Sequence, residues 1–278
     1  MNKIKFAFST NAYRNFTIEQ SIDSIHKAGY DAVEIMCDIP HAFPPIPIEK
    51  IDSIHNSLRK NSMQISNLNG FMMKAIDDFH HPSWIEPSKN YRKKRVEHTK
   101  NCLELASLLG AKTISTEPGG PKTTQTIEKE LELFEQGLIE VLPLAEELKV
   151  HLLIEPEPEL LIENSTQFLN FIQKFESQFL GLNFDIGHFF CVNEDPAKLI
   201  YKLQNHIHHI HLEDISASKK HFHLIPGHGT IDFPSIFQSL SDINYDGYVT
   251  VELYPYQQNP EQAAIESMTF LNSVCKYV

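Results

Sequence analysis

Leu152-Leu153-Ile154-Glu155, Leu182-Asn183-Phe184-Asp185, His209-Ile210-His211 and Thr250-Val251-Glu252 are four short, mostly apolar runs, each closed by a carboxylate or an imidazole. A strand of a parallel sheet is covered on both faces and reads as nearly continuous apolar residues, so an ionisable group at its end needs a partner. Side chains alternate along a strand. Turning Glu155 to one side therefore sends Leu152 and Ile154 to the other, and the same parity separates Phe184, Ile210 and Val251 from Asp185, His211 and Glu252. Large apolar residues face one layer, and four potential ligands face the other.

Working outward from these runs, strand candidates fall near residues 4–9, 31–36, 63–68, 112–116, 150–155, 180–185, 207–212 and 247–253. Helical patterns separate them: Leu131, Phe134, Leu138, Val141, Leu142, Ala145 and Leu148 form one stripe, and Val96, Cys102, Leu103, Ala106 and Leu109 another. Gly29 and Gly110 each close a helical pattern just before a strand, where a left-handed cap suits glycine. Eight such alternations without a linker predict one domain over residues 1–278, a single α/β (β/α)8 TIM barrel. A doubly wound open sheet would carry a Gly-rich phosphate loop after its first strand, and Ser9-Thr10-Asn11-Ala12-Tyr13 is no such loop.

In a closed barrel the four polar strand ends meet at the C-terminal mouth. The stretches Pro40–Pro47 and Asp77–Pro87, the latter containing His80-His81, read as long loops on that same face, and Phe71 and Trp84 lie in the mouth loops. Three carboxylates converging within a few Å repel one another unless a cation neutralises them. One divalent metal on Glu155, Asp185, His211 and Glu252 answers the pattern. Three oxygen donors and one imidazole suit Mn, Mg, Co or Zn alike. His209, one layer below His211, reads as its support.

Composition narrows the partners. With 41% hydrophobic and 22% charged residues the chain has the balance of a globular protein with a large core. A formal net charge of −12 argues against a nucleic-acid partner, and the basic run Arg92-Lys93-Lys94-Arg95 reads as a solvated helix face. His26, His55 and His98 fall on helical patterns and read as surface residues. Cys37, Cys102, Cys191 and Cys275 are too scattered for a disulfide framework and read as reduced thiols. The strand-like run Ile4–Phe8 so near Met1, and the lack of a long apolar span, lead to the expectation of a soluble cytoplasmic protein without membrane association.

At Ile154-Glu155-Pro156, Phe184-Asp185-Ile186-Gly187-His188, His209-Ile210-His211-Leu212-Glu213-Asp214, the segment Pro226–Phe233 and Val251-Glu252, the chain resembles the xylose isomerase-like barrel superfamily. That superfamily includes sugar and sugar-phosphate isomerases and epimerases, inosose dehydratases and the endonuclease IV type of nuclease. The resemblance implies Glu155, Asp185, His211 and Glu252 as metal ligands, His188 as a substrate-facing catalytic histidine, and Glu155 and Glu252 as acid and base. It implies isomerisation or epimerisation of a small sugar, sugar phosphate or sugar acid by proton transfer through an enediolate, with a small carbohydrate as partner. A homo-oligomer is left open.

Two departures from that pattern keep other reactions in view. Ketose epimerases carry a further glutamate six residues after the first ligand, where this chain has Leu161; Glu157 and Glu159 stand nearby. Where the endonuclease relatives have an Asp-x-His pair on another metal, this chain has His221 and His223, which with His188 make a candidate second metal site or a set of substrate contacts. Glu117-Pro118-Gly119 replaces a metal-binding His-Pro-Gly, and Asn69 sits near another ligand histidine. Asn69, Glu117 and Glu157 are thus candidate substrate contacts. A dehydratase, a phosphoester hydrolase on one or two metal ions, and a non-catalytic binding module are the competing readings.

Overall fold

Each strand lies parallel to the one before it, and the last pairs with the first. The computed structural model describes residues 4–275. The strands are β1 (Lys5–Ser9), β2 (Ala32–Met36), β3 (Gln64–Asn69), β4 (Thr113–Thr116), β5 (His151–Ile154), β6 (Leu180–Asp185), β7 (Ile207–Leu212) and β8 (Tyr248–Val251), closed in that order into a barrel. Around them run α1 (Ile18–Lys27), α2 (Ile48–Lys60), α3 (Lys89–Leu109), α4 (Ile127–Leu148), α5 (Ser165–Ile172), α6 (Ile186–Cys191), α7 (Pro196–Leu203), α8 (Phe233–Asp242) and α9 (Pro260–Val274). This is the TIM barrel expected from the alternation, with strand bounds within two residues of the expected ones.

The strands that carry the rim divide their faces as the parity argument requires, whereas β3, irregular in its register with β2, turns both Ser66 and Asn67 inward. Phe8, Val33, Ile35, Ile114, Leu152, Ile154, Leu182, Phe184, Ile210, Val249 and Val251 are buried in one hydrophobic cluster with the helices. The barrel interior beneath the mouth is polar instead. Ser66 bonds Thr250 at 3.1 Å, Asn67 bonds Ser115 at 3.0 Å, and Thr113 donates to Asn67 at 2.8 Å. Inward groups thus satisfy one another and form a hydrogen-bonded floor under the ionisable rim.

Register brings the rim together. Asp185 pairs with His211, and His211 with Thr250, so Glu252 stands one inward position above His211. Glu155 and Glu252 lie one residue past their strands, yet their N–H groups still donate to Thr116 O at 3.2 Å and Leu212 O at 3.1 Å. The backbone therefore continues the ladder through both carboxylates.

Two expectations of surface exposure are overturned. Arg95 is 0% exposed and His98 3% exposed. The loop between β3 and α3 folds over the first turns of α3, and Arg95 donates to the carbonyls of Pro82, Gly70 and Phe71 at 3.0, 2.8 and 2.8 Å. His98 stacks on Phe43 at 5.3 Å, with Nε2 3.5 Å from Cys102 Sγ. Helical periodicity marks which residues share a face; the path of a loop over that face decides what it covers. All four cysteines are free, and no helix among the described residues is long and apolar enough to cross a membrane.

Candidate active site

The central element of the mouth is His211, buried completely at the top of β7. Its Nε2 lies 2.7 Å from Glu34 Oε2 and its Nδ1 2.7 Å from Glu155 Oε1. Nδ1 also faces Glu252 Oε2 at 3.6 Å and Asp185 Oδ2 at 3.9 Å. Burial alone would lower the imidazole's pKa, but Glu155, Glu34 and Glu252 outweigh it and push it well above the usual histidine range. The same pairing works in reverse on Glu34, where burial would raise the carboxyl but His211 and His209 hold it well below its usual value.

Each carboxylate is oriented by a different device. Asp185 caps α6, its Oδ1 accepting from the His188 N–H at 2.7 Å. Glu252 Oε1 accepts from Asn11 Nδ2 at 2.8 Å and Asn69 Nδ2 at 3.0 Å. Glu155 is held through Oε1 by His211, while its Oε2 and Asp185 Oδ2 are buried without a hydrogen-bond partner. Ligand atoms of Glu155, Asp185, His211 and Glu252 all lie within 4.8 Å of one another. Burial, reinforced by Glu155, Glu34 and Asp185, pushes the Glu252 carboxyl well up despite His211. Orphaned carboxylate oxygens facing one another beside an imidazole fit a divalent cation, which would relieve both the desolvation and the repulsion.

A histidine group adjoins this centre. His188 Nδ1 lies 3.0 Å from Pro156 O, and His223 Nδ1 2.8 Å from Glu252 O. Both carbonyls accept, so each Nδ1 carries the proton and each Nε2 is released for other contacts. His221 Nε2 stands 3.2 Å from His223 Nε2, and the three histidines offer ligand atoms within 4.8 Å of one another. Burial, with His188 and His223 nearby, takes His221 down to about 2, and burial takes His223 down to about 4. Neutral imidazoles are the form that binds a metal or accepts a substrate hydroxyl.

Above these residues the mouth encloses about 400 Å³. Its lining is polar at Asn11, Asn69, Glu155, Glu157, His188, His221, His223 and Glu252 and apolar or aromatic at Phe71, Met72, Phe79, Pro158, Leu160 and Tyr254, the last with its ring 4.8 Å from that of His223. Glu157 lies inside it, its Oε1 3.8 Å from His221 Nδ1, and burial together with Glu155, Glu252 and Asp185 pushes its carboxyl well up.

Glu117 does not reach this space, contrary to its reading as a substrate contact. It is fully buried, accepts from the Trp84 N–H at 2.9 Å and from Gly119, and lies 3.9 Å from Arg95. Trp84 is likewise a packing residue, its indole donating to Thr116 Oγ1 at 2.9 Å and its ring lying where a Cβ on Gly137 would come within 2.6 Å. Leu161 packs on Gly119 instead of entering the mouth. The stretch 40–47 lies outside the lining, whereas His80 joins it. His209 acts on His211 through a shared partner, its Nε2 3.4 Å from Glu34 Oε2.

Two contributors escaped the sequence. Glu34 lies in Ala32-Val33-Glu34-Ile35-Met36, where an isolated carboxylate within an apolar strand was the available signal. Asn11 lies in the first strand-to-helix turn, where a neutral polar residue carries no such mark.

A family model described as xylose isomerase-like TIM barrel matches residues 22–274. Inosose dehydratase of Clostridium perfringens strain 13 is 23% identical over 287 residues, spanning 92% of this chain and 89% of that protein. Inosose dehydratase of Mesomycoplasma hyopneumoniae strain J is 25% identical over 293 residues, spanning 95% and 90%. A D-tagatose 3-epimerase-like protein superposes with a TM-score of 0.83 at 23% identity, covering 99% of this chain and 98% of its own. The IOLI protein with a bound zinc atom gives 0.80 at 18% identity, covering 99% of both chains. Likeness to these structures at such identities speaks to the fold.

Proposed function

Because this chain belongs to the xylose isomerase-like TIM barrel family and is an enzyme, we propose that it isomerises or epimerises a small carbohydrate with the help of one divalent metal, moving a proton between substrate and protein. The observation that carries this reading is the pair Glu155 and Glu252. Both line the mouth; Glu252 has Oε1 anchored by Asn11 and Asn69, and Glu155 has Oε1 beside His211 Nδ1 and Oε2 outside any hydrogen bond. A carboxylate anchored by one oxygen is positioned to exchange a proton through the second.

Glu155, Asp185, His211 and Glu252 are the residues that would hold the metal. When bound, such an ion acts as a Lewis acid, making the proton beside a substrate carbonyl more acidic by stabilising the charge that develops. Around it, Asn11 and Asn69 fix the direction of Glu252, and His188 presents Nε2 to a substrate oxygen. Glu155 and Glu252 take up and return the proton. The Glu252→Gln variant keeps an oxygen in place but removes the base. Solvent deuterium incorporation into a turned-over sugar is expected to fall about 10²–10⁴-fold. Unchanged incorporation with unchanged metal content would reject the assignment.

The grouping of His188, His221 and His223 supports a second reading, a dehydratase or phosphoester hydrolase with another ion on the three histidines. The two inosose dehydratases above favour the dehydratase within it. Elemental analysis of purified protein giving two ions per chain, reduced to one by His221→Ala, would favour this reading over the first.

A further inference from the structure

We propose that the mouth selects an uncharged polyhydroxy ketone and rejects its phosphorylated and carboxylated counterparts. The inference rests on the isomerase or epimerase reading and narrows it to one class of substrate.

The first observation is the charge of the wall. Among the described residues no lysine or arginine lines the mouth, while Glu155, Glu157, Glu159 and Glu252 do. Asp185 stands directly behind them at the rim. One divalent ion offsets two of these charges. A phosphate or carboxylate on the substrate would enter a low-dielectric space with unneutralised acids and no cationic side chain to receive it.

Two cations near the mouth are engaged elsewhere. Arg95 is used on three backbone carbonyls of the loop after β3. Lys122 pairs with Glu163. The histidines do not substitute for them. Two Nε2 atoms 3.2 Å apart, as in His221 and His223, cannot both bear a proton, so this pair holds at least one neutral ring.

The second observation concerns the backbone. In TIM barrels a phosphate is frequently cradled by N–H groups in the loops after the seventh and eighth strands. Here the loop after β7 turns its N–H groups onto a carboxylate of the chain itself. Ile215, Gly227, Gly229 and Ile231 donate to Asp214 at 2.9, 2.9, 2.8 and 3.1 Å. The approach is so close that a Cβ on Gly229 would fall 2.3 Å from Asp214 Oδ1. These four donors are therefore not available to an anionic substituent.

The third observation is the aromatic part of the lining. Phe71 and Phe79 have centroids 5.6 Å apart, and Phe79 and Tyr254 6.1 Å apart. An aromatic surface suits the C–H face of a sugar, with its hydroxyls turned to Asn69, Glu157 and His188, and it offers nothing to a hydrated anion.

The test compares D-fructose with D-fructose 6-phosphate and with 2-keto-D-gluconate on manganese-loaded full-length protein, reading deuterium incorporation from solvent and, separately, thermal stabilisation by each compound. Incorporation at least 100-fold greater for the neutral ketose supports the proposal. Equal or greater incorporation into the phosphate or the acid overturns it and leaves the isomerase reading standing. No incorporation into any of the three sinks the isomerase reading itself. Thermal stabilisation does not depend on turnover: a shift produced by either anion and not by fructose also overturns the proposal. Glu159, exposed on the rim, allows a constructive check. Glu159→Lys should narrow the preference against fructose 6-phosphate by about tenfold; an unaltered preference would show that wall charge does not set it.

Discussion

His211 Nε2 and Glu34 Oε2 stand 2.7 Å apart at the floor of the mouth, both completely buried. The contact assigns the Nε2 proton to the Glu34 side and presents Nδ1 to Glu155, Asp185 and Glu252. A carboxylate behind a ligating imidazole fixes the ring and raises its basicity. Glu34→Gln is therefore expected to weaken metal binding about 10–100-fold with the barrel intact. Competition against a fluorescent chelator measures it, and an unchanged affinity would remove Glu34 from the site.

Arg95 bridges the carbonyls of Gly70, Phe71 and Pro82 from inside the protein. Replacing it by methionine keeps the bulk but orphans three buried acceptors and takes away the cation 3.9 Å from Glu117. The expected loss is about 3–5 kcal/mol, seen as a lower unfolding midpoint in urea. Limited proteolysis should then cut within residues 70–88. A variant as stable and as resistant as the parent would mean that the loop is held by other contacts.

Burial outweighs Arg95 and two N–H donors at Glu117 and raises its carboxyl from 4.5 to about 7. The folded state therefore retains a proton that the unfolded chain has released. The resulting stability is fully present below about 4.5 and is lost as pH rises through about 7. Urea unfolding between about pH 5 and about pH 8 should show a decline on the order of a few kcal/mol from this group. In Glu117→Gln that part of the slope should vanish; an identical slope in the variant would assign it to other residues.

Gly187 leaves room for Glu213, since a Cβ there would fall 1.7 Å from Glu213 Oε1. Gly187→Ala should displace the turn that carries Asp185 and His188 and lower metal affinity by at least tenfold, whereas the double variant with Glu213→Ala should recover most of the loss. Failure of the second change to rescue the first would place the collision elsewhere.

Much of this site was readable in the chain because parallel strands tolerate so few polar residues. Glu155, Asp185, His211 and Glu252 each stood at the end of an apolar run, and the closed barrel brings their ligand atoms within 4.8 Å of one another. Glu34 obeys the same parity but sits two residues before the end of β2, so a rule based on strand ends passes over it. Glu117 reads as a substrate contact because Glu117-Pro118-Gly119 stands where the resemblance has a metal-binding His-Pro-Gly. Its carboxylate instead turns to the N–H groups of Trp84 and Gly119. Arg95 stood in a run of four cations whose pattern suggests water. Only the course of the loop after β3 buries it, and that course follows from carbonyls in need of donors, which leave no periodic trace.

The same loop bears on how substrate arrives. Phe71, Met72, Phe79 and His80 reach the mouth from a segment already secured at Gly70, Phe71 and Pro82. A wall in place beforehand loses no chain entropy when a sugar enters, so association should be governed by diffusion and the shedding of water rather than by a folding step. Free and occupied forms should then superimpose over residues 70–86, and the enzyme's discrimination among sugars would reside in a fixed template, open to redesign one side chain at a time.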